Sequence, residues 1–551
     1  MIKTSLSTVI GGAFWTPEST VIGGAKLSSE TVIGGAKLSS ETVIGGNTPT
    51  FDQQIQRLFS NGEQGFFYDP NDLTTLYQDA AGTIPVTAAG QPVGLMLDKS
   101  KGLVIGAEKW IDSKVTCTGG SERISPNVYR IYSPTGSHSG VAIGSTLTVG
   151  RLYKLTFNVD SITLLGDGIS SEGTPITPFK TTGQKSVYFF AASPTAVLKR
   201  ASTACDIQIS NISIKELAGN HAYQATSASR PIFEQKPIPG ANFVADSTLA
   251  EPSKWNTGAA PGISVSGNKL IFNNVKAYHA SVTSPLSTKL TSGKRYLLSY
   301  TISEYVSGAV RAQLTGGASI STTSFNKNGR VSLVVTATTR HSLIGFQSVA
   351  AGTKLNISEV YLQEITGYLT GQNYLQFDGV DDFLQTNNID FTATDKVSLF
   401  AGVRKLSDAT TAALCEFSDN STSKNGTFSF FAPTSPNPQY QFRSKGASAS
   451  VYASSPTNAY PAPHSTVLTG FGSPPQNIAR LCVNGIQVAD TPTEQGSHVY
   501  GNYPLYIGRR GGISLPFNGH LYSLIGIGRL TTDSETIALE KSIAKNVGVT
   551  L

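Results

Sequence analysis

The stretch Tyr374-Leu375-Gln376-Phe377-Asp378-Gly379-Val380-Asp381-Asp382-Phe383-Leu384 reads as an opening strand running through an Asp-Gly turn into a hairpin. Further along, Val397-Ser398-Leu399-Phe400-Ala401-Gly402-Val403-Arg404 reads as a core strand. Arg480-Leu481-Cys482-Val483-Asn484-Gly485-Ile486-Gln487-Val488 reads as a second hairpin, because Asn-Gly tolerates positive φ at both central turn positions. Leu505-Tyr506-Ile507-Gly508 and Pro516-Phe517-Asn518-Gly519-His520-Leu521-Tyr522 add further strands. A helix then closes the chain. Thr532-Asp533-Ser534-Glu535 spells a capping box, Ala538, Leu539 and Ile543 give the helix an apolar side, and Gly548 lies beyond its end.

This order of segments, from 374 to 551, resembles the concanavalin A-like, laminin-G-like lectin/glucanase jelly roll. Glucanases of that fold set closely spaced Glu and Asp on one strand, so that one carboxylate attacks or activates water while another donates a proton. No Glu-x-Asp-x-Glu strand occurs here, and a non-catalytic domain is expected. Asp378, Asp381 and Asp382 are its densest acidic group and could offer oxygen ligands to Ca²⁺, although such pairs also occur in hairpins for local hydrogen-bonding reasons. No other cofactor is expected.

Upstream, the text contains a diverged duplication. Ile207-Gln208-Ile209-Ser210-Asn211-Ile212-Ser213-Ile214 aligns without gaps on Leu355-Asn356-Ile357-Ser358-Glu359-Val360-Tyr361-Leu362, and Gly150-Arg151-Leu152-Tyr153 on Gly293-Lys294-Arg295-Tyr296. Apolar and polar residues alternate in these segments, which puts one face on a core and the other in solvent. Two antiparallel β-sandwiches are therefore expected, at 110–219 and 236–367. Their order of motifs resembles the jelly-roll modules that bind carbohydrate in glycan-degrading enzymes and virion proteins. Sugar binding needs exposed aromatic faces beside amides or carboxylates, and the candidates are Trp110, Trp255, Tyr278 and His279. A lone Trp in a sandwich more often packs in the core or at its rim.

At the front, Thr-Val-Ile-Gly-Gly begins at Thr8, Thr20, Thr31 and Thr42. Each unit couples a β-branched triplet to two glycines and is too short to bury itself. Residues 1–50 thus read either as a low-complexity arm or as an attachment segment that docks through Val9, Ile10, Val21, Ile22, Val32, Ile33, Val43 and Ile44. Phe51, Ile55, Leu58 and Phe59 then lie on one face of a short helix. Residues 51–109 read as that helix followed by a strand-turn connector module, and 220–235 as a second connector. Asn61-Gly62-Glu63-Gln64-Gly65-Phe66-Phe67-Tyr68-Asp69-Pro70-Asn71-Asp72 and Asn220-His221-Ala222-Tyr223-Gln224-Ala225-Thr226-Ser227-Ala228-Ser229-Arg230-Pro231 resemble modules of tailed-bacteriophage virion proteins, where the second normally sits just before the lectin-like domain. Here a sandwich intervenes, and the final domain is expected at 368–551.

The 551 residues exceed what one hydrophobic core organises, and 39% apolar with 14% charged residues exclude a highly charged disordered chain and a Glu/Lys/Arg coiled coil. A net charge of +6 without basic runs makes nucleic acid an unlikely partner class, and no apolar stretch is long enough for membrane insertion. No signal peptide is expected. Cys117, Cys205, Cys415 and Cys482 read most simply as buried thiols, with a Cys117–Cys205 bridge as the alternative. The seven histidines are scattered, with no H-x-x-x-H pair.

The reading is an all-β, multidomain chain: a repeat arm followed by three sandwiches. The resemblance implies a virion protein assembled in the host cytoplasm, a tail fibre or appendage held by its arm to other virion proteins. It would form a homo-oligomer and present its sandwiches to bacterial surface polysaccharide. A capsid decoration or head-fibre protein and a glycan-degrading enzyme are the alternatives.

Overall fold

Alternating patterns become antiparallel ladders almost throughout the computed structural model of the chain, so its all-β, multi-sandwich class is as expected. The structure describes residues 49–171, 178–258, 261–278, 282–497 and 499–551, and between residues 9 and 44 the backbone of short strands. Residues 1–62 and 63–551 are separate units.

In the first unit the repeats carry strands at Val9–Ile10, Ser19–Ile22, Thr31–Ile33 and Val43–Ile44. The second and fourth repeats pair in parallel, with Val21 opposite Val43 and Ile22 opposite Ile44. The eight apolar arm positions lie on this backbone, and their side chains fall outside the described residues. The helix Phe51–Leu58 forms as its periodicity predicts. Its N-terminus is closed by a capping box that the sequence reading missed, in which Gln53 N–H donates to Thr50 Oγ1 at 3.2 Å and Thr50 N–H to Gln53 Oε1 at 3.0 Å.

The duplicated modules are two copies of one sandwich. In the first, Leu152–Leu164 and Cys205–Leu217 lie side by side in one sheet, and Gly140–Ile143, Ala196–Arg200 and Ile169–Ser171 pair in the other. In the second, Arg295–Ser307 and Thr353–Asp378 pair in one sheet, and Val282–Pro285, Leu343–Ser348, Val310–Thr315 and Ile320–Phe325 follow in order in the other. The copies share local chemistry as well as order. Thr148 N–H donates to Tyr153 Oη at 2.8 Å, and Thr291 N–H to Tyr296 Oη at 2.8 Å. The preceding glycines, Gly150 and Gly293, sit at φ 81° and 82°, and the bulge residues Asn211 and Glu359 both sit at 52°.

The C-terminal domain differs from its expected boundaries. Its larger sheet centres on Asn518–Ile527, flanked by Val397–Lys405 and by the end of Thr353–Asp378. That strand also pairs with Gly65–Tyr68, more than four hundred residues upstream. The opposing nine-stranded sheet runs from Ser450–Ser454 to Leu384–Gln385 and continues through Ala222–Tyr223, Leu95–Met96 and Leu76–Tyr77. The segments expected as connectors are therefore strands of this domain. Phe66, Tyr68, Leu76, Val93, Met96, Ala222 and Phe233 share one core with Phe377, Leu399, Phe428 and Leu524. Both other sandwiches are insertions within it, because the flanking segments lend their strands to its two sheets and Phe66, Tyr68, Leu76, Met96, Ala222 and Phe233 to its core, while Leu95 and Leu97 pack against Leu152, Tyr188 and Phe190 at the base of the first insertion.

Asp98 closes the base of the first insertion. Its carboxylate is buried and accepts from Phe67 N–H at 2.8 Å, Ser100 N–H at 2.8 Å, Ser100 Oγ at 2.8 Å and Asn220 N–H at 2.7 Å. Its own N–H donates to His221 Nδ1 at 2.9 Å, which leaves Nε2–H to donate to Leu217 O at 3.1 Å. Burial lowers the His221 pKa and holds the ring neutral.

The closing helix, Asp533–Val547, has the predicted capping box and ends at Gly548, φ 78°. It packs on Gly402, where a Cβ would come within 2.7 Å of Ile543. Arg529 donates to both oxygens of Glu535, at 2.7 and 2.8 Å, and with the cap holds that carboxyl down to about 2. Among the cysteines, Cys205, Cys415 and Cys482 are buried thiols, whereas Cys117 is exposed on an edge strand; all four are free.

Replacing Asp98 strands the buried N–H groups of Phe67 and Ser100 and the half-buried N–H of Asn220. Asp98→Ala should lower the stability of the C-terminal domain by about 3 kcal/mol or more in urea unfolding, followed by the fluorescence of its tyrosines.

Candidate functional site

Val310–Thr315 alternates strictly, and Val310, Ala312 and Leu314 enter the core of the second sandwich. The intervening Arg311 and Gln313 therefore point away from that core, Arg311 half-buried and Gln313 buried beneath its neighbours. Register brings them polar neighbours: Arg311 is opposite Gln347 on one side and Ser324 on the other, and Gln313 is opposite Gly345 and Ser321. Arg311 Nε and Nη2 donate to Gln347 Oε1 at 3.1 and 2.6 Å. Gln313 Nε2 donates to Ser321 Oγ at 3.0 Å and to Gln347 Oε1 at 3.2 Å.

Tyr278 stands at the edge of this row. It is 64% exposed, and the Arg311 guanidinium lies 5.6 Å from its ring centroid. Its backbone is left-handed, φ 53°, a costly conformation for a bulky residue, and is held by its N–H donating to Ser348 O at 2.8 Å. An exposed ring beside a fixed guanidinium can stack on an apolar sugar face while the guanidinium hydrogen-bonds its hydroxyls. In the first copy the corresponding sheet places Ser170 and Gly140 opposite Lys199.

Of the sequence-derived candidates among the described residues, only Tyr278 is exposed in this way. Trp110 is 4% exposed and packs edge-on against Tyr129 at 6.0 Å. Trp255 is 3% exposed, stacks with Phe346 at 6.4 Å and donates its Nε1–H to Asp246 O at 3.3 Å. Both are core residues, because their faces are already covered, and neither can stack on a sugar. His279 lies outside the described residues. Arg311, Gln313 and Gln347 were missed, although the alternation of 310–315 pointed two of them outward.

The acidic hairpin does come together. One carboxylate oxygen from each of Asp378, Asp381 and Asp382 lies within 4.8 Å of the others. Asp378 Oδ1 accepts from Val380 N–H at 2.8 Å, Asp381 Oδ2 from Ser229 Oγ at 2.8 Å, and Asp382 Oδ2 from Asp378 N–H at 3.0 Å. Burial, followed by the charges of Asp378 and Asp381, pushes the Asp382 carboxyl up to about 7. Three hard oxygens suit a cation such as Ca²⁺ in type, but six to eight ligands are usual, so water would have to complete the shell.

On the nine-stranded sheet, the carboxylate of Glu416 is buried. It accepts from Ser421 N–H at 2.6 Å and from Arg510 Nε at 2.8 Å. Its cross-strand neighbours are Ser429 and Tyr506, so no second carboxylate stands directly opposite.

Residues 378–525 match the family model of the concanavalin A-like lectin/glucanases superfamily. That stretch is thus similar to concanavalin A-like lectin/glucanase domains. A comparison with curated proteins finds no match. Among solved structures, the carbohydrate-binding module CBM40 of the Ruminococcus gnavus IT-sialidase, bound to α2,6-sialyllactose, is 13% identical, with 28% of this chain and 97% of that one covered and a TM-score of 0.22. Domain 4 of AbnA, an extracellular arabinanase of Geobacillus stearothermophilus, in complex with arabinotriose, is 14% identical, with 30% and 76% covered and a TM-score of 0.24. The NanB sialidase of Streptococcus pneumoniae is 16% identical, with 30% and 26% covered and a TM-score of 0.23, so the match spans about a quarter of that enzyme.

The acidic hairpin carries a pH signature. An acid whose pKa is raised by folding stabilises the fold fully below its unfolded value and loses that contribution as pH rises through the folded value. In the presence of a chelator, the melting temperature of the native protein should therefore decline between about pH 4 and pH 7 relative to Asp382→Asn, in parallel calorimetric scans.

Proposed function

We propose that the chain is a non-catalytic, glycan-binding virion protein. In this reading the repeat arm fastens a phage tail fibre or appendage, and the sandwiches are displayed toward host surface polysaccharide. The observation that carries the glycan part is the exposed Tyr278 ring beside Arg311, whose guanidinium is held by Gln347, on a chain whose residues 378–525 match the concanavalin A-like lectin/glucanase model. The virion part is supported by the likeness of 61–72 and 220–231 to tailed-phage modules and by the repeats of residues 8–46.

Binding without hydrolysis is supported by the sequestered Glu416, which is held by Arg510 and Ser421 and has no acid directly across the ladder. A pair of accessible carboxylates is what glycoside hydrolysis requires. Release of reducing ends from any polysaccharide by the purified protein would reject this part.

On an array of bacterial polysaccharides, Tyr278→Ala should weaken binding about tenfold, with an unchanged melting temperature because the ring is exposed. Equal binding by the variant would remove Tyr278 from the site. Deleting residues 1–46 should abolish incorporation into particles while leaving array binding intact. Electron-microscopic reconstruction of labelled particles separates a tail appendage from a capsid decoration.

A further inference from the structure

The second sandwich carries the positive charge of the chain. Residues 236–367 hold 12 Lys and Arg against 5 Asp and Glu, an excess of +7 where the whole chain carries +6, so the rest sums to −1. From Pro252 to Ser358 the one acidic residue is Glu304. The acids of this sandwich are also engaged. Glu251 pairs with Lys254, Glu304 with Lys269, Glu364 with Lys294 and Glu359 with Arg330, while Asp246 accepts from the N–H groups of Ala250 and Glu251. The four strands of the sheet that holds Tyr278, Val282–Pro285, Leu343–Ser348, Val310–Thr315 and Ile320–Phe325, contain one ionisable side chain, that of Arg311.

The charge of Arg311 is uncompensated, since among the described residues no carboxylate pairs with it. Its hydrogen bonds go to a neutral acceptor, with Nε at 3.1 Å and Nη2 at 2.6 Å from Gln347 Oε1. Nη1 donates to no described residue, and Nη2 has a second hydrogen to give. The end of the guanidinium fork is thus open while its orientation is fixed. The Tyr278 ring, exposed and 5.6 Å away, stands beside it. Neutral hydroxyls ask only for dipoles, whereas a planar fork without a counter-ion matches a carboxylate.

We propose that the Tyr278 site takes an acidic saccharide, with its ring stacked on Tyr278 and its carboxylate seated on the free end of the Arg311 fork. This rests on the glycan-binding reading and adds the class of sugar. In a hexuronate the carboxylate stands on the sugar ring itself, so one residue of the polymer meets both the platform and the cation. The dispersed positive charge of the sandwich raises the local concentration of a polyanionic glycan, and Arg311 sets the contact.

The test uses the full chain on an array of uronate-bearing bacterial capsular polysaccharides, each printed beside its carboxyl-reduced form, which keeps the backbone and hydroxyls and loses only the charge. Binding to an acidic member should fall about tenfold on its reduced form. In Arg311→Gln that difference should vanish while binding to the reduced form stays as in the native protein, and Tyr278→Ala should weaken both forms alike. Arg311→Lys, which keeps the charge and gives up the fork, should retain part of the preference. Equal binding of acidic and reduced forms, weakened by Tyr278→Ala, would overturn the acidic class and leave the glycan reading standing. So would an acidic preference that survives Arg311→Gln, or equal retention of dextran sulfate or polyglycerol phosphate, which would reduce the effect to net charge. Absence of binding to every member would overturn both.

Discussion

The buried carboxylate of Asp98 ties three pieces of chain that are distant in sequence. It accepts from Phe67 at the start of the C-terminal domain's edge strand, from Ser100 in its own turn, and from Asn220 where the chain returns from the first sandwich. The neighbouring bond to His221 fixes that ring as a neutral acceptor. A charge taken out of water is tolerated only when it is surrounded by donors, and these donors exist only when both ends of the insertion are in place. The same carboxylate thus joins the roots of two domains. Deep burial also shields it from salt and from competing water, so the junction is set by geometry more than by net charge.

The architecture follows from that constraint. A sandwich can be inserted wherever its two ends lie close together, and here the ends of both inserted copies are adjacent strands or turns of the C-terminal domain. The first leaves and returns beside Asp98. The second leaves on a ribbon whose returning strand, Thr353–Asp378, is shared by the sandwich sheet and the sheet of the final domain. A shared strand fixes direction in a way that a flexible linker would not, and the Arg295–Glu234 pair adds a side-chain brace at the same place.

The two copies of the sandwich show how one fold serves different ends. Both keep the Tyr Oη bond that closes the turn before the long strand, and both keep the left-handed bulge in the last strand. These features belong to the scaffold. The outer face is free to vary, since residues there contribute little to the core. Among the described residues, the second copy sets a guanidinium beside an exposed ring, whereas the matching sheet of the first places Lys199 among small residues. Duplication preserved packing, and surface chemistry diverged.

By itself the sequence determined what is local and periodic. Alternation gave the strands, the gapless alignment of 207–219 on 355–367 gave the duplication, and Thr532 with Glu535 gave the start of the final helix, because each depends on residues a few positions apart. The acidic hairpin was legible for the same reason, since Asp378, Asp381 and Asp382 need only one turn to meet. What only the tertiary structure decided was partnership over distance. Phe66 and Ala222 looked like parts of connectors, yet they belong to the core of Phe377 and Leu399, and Trp110 and Trp255 proved to be packing residues rather than platforms. Likewise, Gln347 reaches Arg311 across a ladder, thirty-six residues along the chain. Strand propensity is written in the residues themselves, but burial depends on which strands become neighbours, and that is set by the whole chain competing for one core.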